Sequence, residues 1–424
     1  MLNFPPGFLW GTATAPTQVE GHIENEWTNF TAQDGGHCRI TCDHYHRYPE
    51  DIDWMARLGT NAYRFGIEWS RLQAAPFAPL NQNELARYVD LLDRLKANGI
   101  TPMVVLHHFS NPPWINAAGG WTTAATIPAF VDFVRQLVAA LKDRVHLWNT
   151  FNEPDTYGCV AYLLGGFPPQ RKWRLGEFRR VIAHMARAHA DASQIIQREG
   201  RVAGRKPEVG IAKNWTFFHA YKRWSPWDRA TALGCHYTFN KFVLDAFLGG
   251  GRRRASTFIG LNYYGRVRFH HFRAMIPASG APVKTLKEFG FVCDDMVERY
   301  PEGLVKILPY LQRKFHLPIY ITEHGAASDN ETFRERDLRE NLAALHGAMA
   351  SGVDVRGFFY WSLLDNFEWQ FGYTKKFGLL AVDFADEKLP RTMKPLAEVY
   401  SRICRENALA GESAARAAAA HFTD

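Results

Sequence analysis

Eight short apolar runs recur along the chain at intervals of roughly 40–60 residues, most of them separated by a stretch with helical spacing. They begin at Phe8-Leu9-Trp10, Tyr63-Arg64-Phe65, Pro102-Met103-Val104, Leu147-Trp148-Asn149, Val209-Gly210-Ile211, Phe258-Ile259-Gly260, Pro318-Ile319-Tyr320 and Gly357-Phe358-Phe359. Near-continuous apolar strands are buried on both faces, which requires a parallel sheet covered by helices. The intervening helices read clearly. Ile52, Met55 and Leu58 end at Gly59, and Leu85, Val89, Leu92 and Leu95 end at Gly99. Further helical patterns cover Phe130 to Leu141, Phe178 to Glu199, Glu302 to Phe315 and Leu338 to Met349. Eight strand–helix units predict a single α/β domain closed as a (β/α)8 TIM barrel over residues 1–407. No Gly-rich phosphate loop follows the first strand, which argues against a doubly wound open sheet. The Ala-rich tail, 408–424, reads as a helix end or a frayed terminus.

Composition is compatible with a large buried core: 46% of residues are hydrophobic and 22% charged. The net charge of +7 could suit nucleic acid or an anionic membrane. Its densest runs, Arg252-Arg253-Arg254 and the Arg171 to Arg180 region, come without a nucleic-acid motif, so solvated surface is the simpler reading. The six cysteines lack framework spacing, and free thiols in a reducing, cytoplasmic compartment are expected. Cys38, Cys42, His44 and His46 lie close in sequence but lack a second ligand pair at zinc-finger spacing. There is no basic and apolar leader, and no apolar stretch of about eighteen residues that would span a bilayer.

Two strand ends carry acid chemistry. Leu147-Trp148-Asn149-Thr150-Phe151-Asn152-Glu153 stops at Pro154, and Ile319-Tyr320-Ile321-Thr322-Glu323 is followed by His324-Gly325. Either glutamate alone could be a solvated loop carboxylate. Two at the C-terminal tips of barrel strands form a pair suited to acid–base and nucleophilic work on an acetal. The 13 Trp, 16 Tyr and 30 Phe are mostly core, yet some could offer flat faces to a sugar ring.

From Phe8 to about Tyr400 the chain resembles the family 1 glycoside hydrolases, the β-glucosidase family. The resemblance rests on Leu9-Trp10-Gly11-Thr12-Ala13 with Gln18-Val19-Glu20-Gly21; Tyr63-Arg64-Phe65 with Ile67-Glu68-Trp69-Ser70-Arg71; Thr150-Phe151-Asn152-Glu153-Pro154; Asn262-Tyr263-Tyr264; Ile321-Thr322-Glu323; and Trp361-Ser362-Leu363-Leu364-Asp365-Asn366-Phe367-Glu368-Trp369. It implies a retaining exo-β-glycosidase acting on small neutral β-D-glucosides, with β-galactosides and β-fucosides as side substrates. Glu323 would be the nucleophile, ionised at rest, and Glu153 the acid/base, with about 5–5.5 Å between their carboxyl groups. Arg64 and Tyr264 would contact the nucleophile. Gln18, His108, Asn152, Asn262, Trp361, Glu368 and Trp369 would bind the sugar, with His107 a core histidine. The resemblance implies no cofactor, metal, nucleic acid or membrane partner. A charged Glu368 would repel a 6-phosphate, and Glu rather than Gln at position 153 disfavours thioglucosides. A transglycosylating enzyme, or a sugar-binding barrel without turnover, are the alternatives.

Departures from the family pattern fall mainly on the leaving-group side. His324 stands where Asn is usual and would add a titratable group beside the nucleophile. Phe109 replaces a Trp, Val297 occupies the aglycone-platform Trp position, and the stretches 34–42 and 249–257 are short.

Overall fold

The computed structural model describes residues 1–249, 255–280, 283–288 and 290–410. Its centre is a closed, all-parallel barrel of eight strands: β1 Leu9–Ala13, β2 Ala62–Gly66, β3 Thr101–Val105, β4 Leu147–Asn152, β5 Glu208–Asn214, β6 Ile259–Asn262, β7 Ile319–His324 and β8 Val355–Trp361. Sequential strands are neighbours throughout, and β8 closes onto β1 through pairs such as Phe358 with Trp10. All eight strands lie where the apolar runs predict them. The main helices around them are α1 His44–Leu58, α2 Gln82–Ala97, α3 Thr126–Leu141, α4 Leu175–Glu199, α5 Pro226–Cys235, α6 Glu302–Phe315, α7 Glu331–Ala350 and α8 Pro395–Glu406, of which α5 packs on strands Phe217–Ala220 and Arg266–His270 outside the barrel.

Local chemistry sets the helix limits. The Asn81 side chain accepts from the Asn83 and Glu84 amides and starts α2. At the end of α1, Gly59 has φ 73°, a left-handed conformation that glycine adopts without Cβ strain. Helix α3 buries Phe130, Phe133, Val134, Leu137 and Leu141 along one face. Phe133 stacks on Trp69, and Phe130 lies against Trp121 and against Phe151 of β4, the strand leading to Glu153.

Register brings chemistry-bearing residues together at the C-terminal rim. Glu323 pairs with Asn262, Asn214 also pairs with Asn262, and Asn152 pairs with Ala212. The β4–β5 and β6–β7 ladders become irregular at these tips. Beyond the rim, Phe217–Ala220 and Arg266–His270 form a parallel ribbon from the loops after β5 and β6.

The tail departs from expectation at its start: Ala408–Leu409 is a short strand antiparallel to Leu2–Asn3. Residues 411–424, and the 250–254 part of the short loop with its three arginines, lie outside the described residues. All six cysteines are free thiols. The Cys38, Cys42, His44 and His46 group is dispersed among other partners: Cys42 donates to the Asp365 carbonyl, and His44 Nδ1 lies 2.7 Å from Asp51. No helix among the described residues is long and apolar enough to cross a membrane.

Phe130→Ala removes a buried ring that fills the space between Trp121 and Phe151. It should lower unfolding free energy by about 3–5 kcal/mol, read as a fall in the urea midpoint.

Candidate active site

Arg64, the middle residue of β2, is fully buried and bridges two strand tips. Its Nη1 lies 2.6 Å from Glu323 Oε1, and its Nη2 donates to Asn152 Oδ1 at 2.6 Å. The other Glu323 oxygen accepts from Tyr264 OH at 2.7 Å. Asn262 Nδ2 donates to Glu153 Oε1 at 2.6 Å and to Asn152 Oδ1 at 3.1 Å. Thr322 in turn donates to Asn262 Oδ1 at 2.6 Å, fixing which way that amide faces. One continuous network therefore joins Glu153, Asn262, Asn152, Arg64, Glu323 and Tyr264, and both carboxyl groups are buried.

Glu153 occupies the position before helix Pro154–Tyr162 with φ 39°, left-handed for a non-glycine residue. Such strain persists only where the surroundings over-determine it. Here the Glu153 amide donates to the Ala212 carbonyl, and Asn214 Nδ2 donates to its Oε2 at 3.1 Å. Behind it, Lys213 and Asp155 form a buried ion pair at 2.8 Å. Burial nevertheless lifts the Asp155 carboxyl to about 6, against the pull of Lys213. The sequence reading missed Asn214, Lys213 and Asp155. Asn214 was findable as the polar residue closing the fifth strand, by the same strand-tip logic that singled out Glu153.

The remaining predicted binding residues gather beside this network, which His108 joins through Asn152. Gln18 Nε2 donates to Glu368 Oε2 and Asn366 Oδ1, each at 3.0 Å. The His108 ring stacks on Trp369 and tilts against Trp361. His108 Nε2 lies 2.8 Å from Asn152 Nδ2, so it accepts and its Nδ1 carries the proton. Gln18 Oε1 and His108 Nδ1 are buried with no hydrogen-bond partner among the described residues. Buried polar atoms left this way are open to a hydroxylated ligand. His107, by contrast, is a core residue bonded to Asn111, and burial lowers its proton affinity to about 4.

Two expectations about charge change on contact with the structure. Burial lifts Glu323 to about 7, with Glu153 adding to the rise, while Arg64 and the Tyr264 hydroxyl pull it down. Arg64 thus moderates the nucleophile candidate's proton affinity and does not hold it at the ordinary carboxylate value. Glu368 is lifted further, to about 8, by burial first and by the charges of Glu323 and Glu153. Much of it is protonated near neutrality, so the argument that its charge repels a phosphate loses force.

His324 also differs from expectation. It points away from Glu323's partners, as successive strand residues do. Its Nδ1 donates to the Tyr263 carbonyl at 2.8 Å, and its Nε2 lies 3.1 Å from Asp337 on α7. It belongs to the interface between barrel and helices. Phe109 packs with Phe167 and Trp369, and Val297 lies beside Gly265 in the loop after β6.

A carboxyl whose proton affinity is raised by folding destabilises the fold as pH rises from its unfolded value, 4.5, towards its folded one, about 8 for Glu368. Glu368→Gln should therefore unfold at a higher temperature than wild type at pH 8. The gap should close at pH 4.5, as read by thermal scans across that range.

The profile described as Glycosyl hydrolase family 1 matches residues 1–255 and 253–409. β-Glucosidase A of Thermotoga maritima is 31% identical over 459 residues, covering 96% of this chain and 99% of that one. A chloroplastic galactolipid galactosyltransferase of Arabidopsis thaliana is 30% identical over 379 residues, covering 84% of this chain and 57% of the relative. The solved β-glucosidase of Thermotoga maritima in complex with galacto-hydroximolactam superposes with TM-score 0.83 at 28% identity, covering 97% and 100% of the two chains. With the matching barrel and the paired carboxyl groups at its rim, the chain belongs to glycosyl hydrolase family 1 and is a glycoside hydrolase of the β-glucosidase family.

Proposed function

We propose that this enzyme is a retaining exo-β-glycosidase that removes a neutral β-D-glucosyl residue by double displacement. The observation that carries the reading is the single network in which Arg64 and Tyr264 hold both oxygens of Glu323 while Asn262 and Asn214 hold those of Glu153. Two carboxyl groups oriented independently, yet close enough for the charge of Glu153 to raise the proton affinity of Glu323, suit two different roles.

In the first step an ionised Glu323 oxygen forms a bond to the anomeric carbon as the bond to the leaving oxygen breaks, and Glu153 gives that oxygen its proton. In the second, Glu153 takes a proton from water, whose oxygen bonds to the same carbon and releases Glu323 as a carboxylate. Two inversions return the β configuration. Arg64 and Tyr264 stabilise the Glu323 carboxylate and aim its attacking lone pair. Asn152, held by Arg64 and His108, is set to grip the 2-hydroxyl where charge develops in the transition state. Gln18, His108 and Glu368 meet the outer hydroxyls, with Trp361 and Trp369 as apolar walls. A neutral Glu368 can donate as well as accept, which favours tolerance of both glucosides and galactosides. The galacto-configured inhibitor held by the Thermotoga maritima β-glucosidase supports this. Six free thiols support a cytoplasmic setting.

A second reading keeps the same residues and replaces water by an acceptor alcohol. The Arabidopsis thaliana relative named a galactosyltransferase favours it. Product analysis with and without added alcohol separates the two.

Aryl β-glucosides should be hydrolysed with the β-anomer as first product, followed by NMR. Glu323→Gly should lose activity by a factor on the order of 10⁴–10⁶, and azide should restore it with an α-glucosyl azide product. Glu153→Ala should still form the glycosyl-enzyme from an activated aryl glycoside and yield a β-glucosyl azide. Interchanged azide products would reverse the two roles, and an α-anomer from wild type would exclude retention.

A further inference from the structure

Outside the barrel mouth, between the Phe217–Ala220/Arg266–His270 ribbon, α5 and α6, lies a cleft of about 560 Å³. Arg223, Arg229, Arg266, Arg268 and Lys306 line it, and among the described residues no carboxylate does. Glu298, buried beneath, bonds both Arg266 and Arg268, each at 2.8 Å, and offsets one positive charge. Glu302 lies close enough to Arg266 to add a weaker negative influence. Lys306 has a neutral partner, the Tyr300 hydroxyl at 2.6 Å. Arg223 and Arg229 make no ion pair among the described residues, and Arg266 Nε is buried with no hydrogen-bond partner among them. His219, in the same wall, is held uncharged down to about 4 by burial and by the charges of Arg266, Lys306 and Arg268.

Five cations converging on one cavity repel one another unless something negative enters. A planar guanidinium presents paired N–H groups at the spacing of phosphate oxygens, and four of the five groups are guanidinia. We propose that this cleft binds a phosphate-bearing anion of more than one negative charge, apart from the sugar site. The same chemistry could reach it as a free organic phosphate or as a phospholipid headgroup. The second source draws interest from Trp224 and Trp227, 77% and 60% exposed, which lie between Arg223 and Arg229 in sequence.

The test uses the full chain with inorganic pyrophosphate in titration calorimetry, and sedimentation with phosphatidylcholine vesicles with and without phosphatidic acid. Wild type should bind pyrophosphate at one site. R223Q/R229Q should bind at least about tenfold more weakly, with unfolding temperature and glycosidase activity unchanged. R179Q/R180Q removes the same charge from the exposed face of α4 and should bind as wild type does. Equal weakening in both variants would reduce the effect to general basicity and overturn the proposal, as would no binding by wild type in either arm. Capture on phosphatidic acid vesicles that pyrophosphate reverses and R223Q/R229Q abolishes assigns a headgroup as the source. Pyrophosphate binding without capture assigns a free phosphate. Vesicle capture that survives R223Q/R229Q would place lipid elsewhere and overturn the cleft as its site.

Discussion

The site depends on one buried cation. Arg64 has no route to water, so its charge must be met by fixed acceptors, and the barrel supplies them from two other strands. Removing either acceptor would leave a guanidinium buried and partly unpaired, a costly state that constrains both neighbours. The same fork that orients Glu323 also fixes Asn152, which couples the carboxyl of one strand tip to the amide of another. One residue contributed early in the chain thus helps to set both the position and the charge of this site.

Burial works against that cation. The barrel rim excludes enough solvent to raise Glu323, Glu368 and Asp155 together, and each raised carboxyl favours its neutral form. At Glu323 the hydrogen bonds from Arg64 and Tyr264 favour the charged form and so oppose the surrounding medium. A fold this dense therefore stores an electrostatic tension where the chemistry is expected, in keeping with the left-handed backbone at Glu153.

Much of this architecture is legible in the sequence because barrel strands are buried on both faces and end in polar residues on one side. That regularity locates Arg64, Asn152, Glu153, Asn262 and Glu323, each within a few residues of an apolar run. Lys213 and Asp155 escape the same reading because their pairing joins separate strand–helix units and each looks like ordinary surface charge. The charge state of Glu368 escapes it too, since desolvation is a property of the assembled rim. His324 misleads for a simpler reason: adjacency in sequence within a strand means opposite faces, so the residue next to Glu323 serves the helix layer.

That placement ties the outer shell to the barrel interior. His324 spans from the Tyr263 carbonyl to Asp337 on α7, and Arg299 lies 3.2 Å from the same aspartate. Tyr263 precedes Tyr264, and His324 follows Glu323, so one imidazole clamps the two strands that deliver both ends of the 2.7 Å contact. Exchanges on α7 chosen to harden the enzyme against heat would thus tune the aim of the Glu323 carboxyl, although none of them touches the barrel mouth.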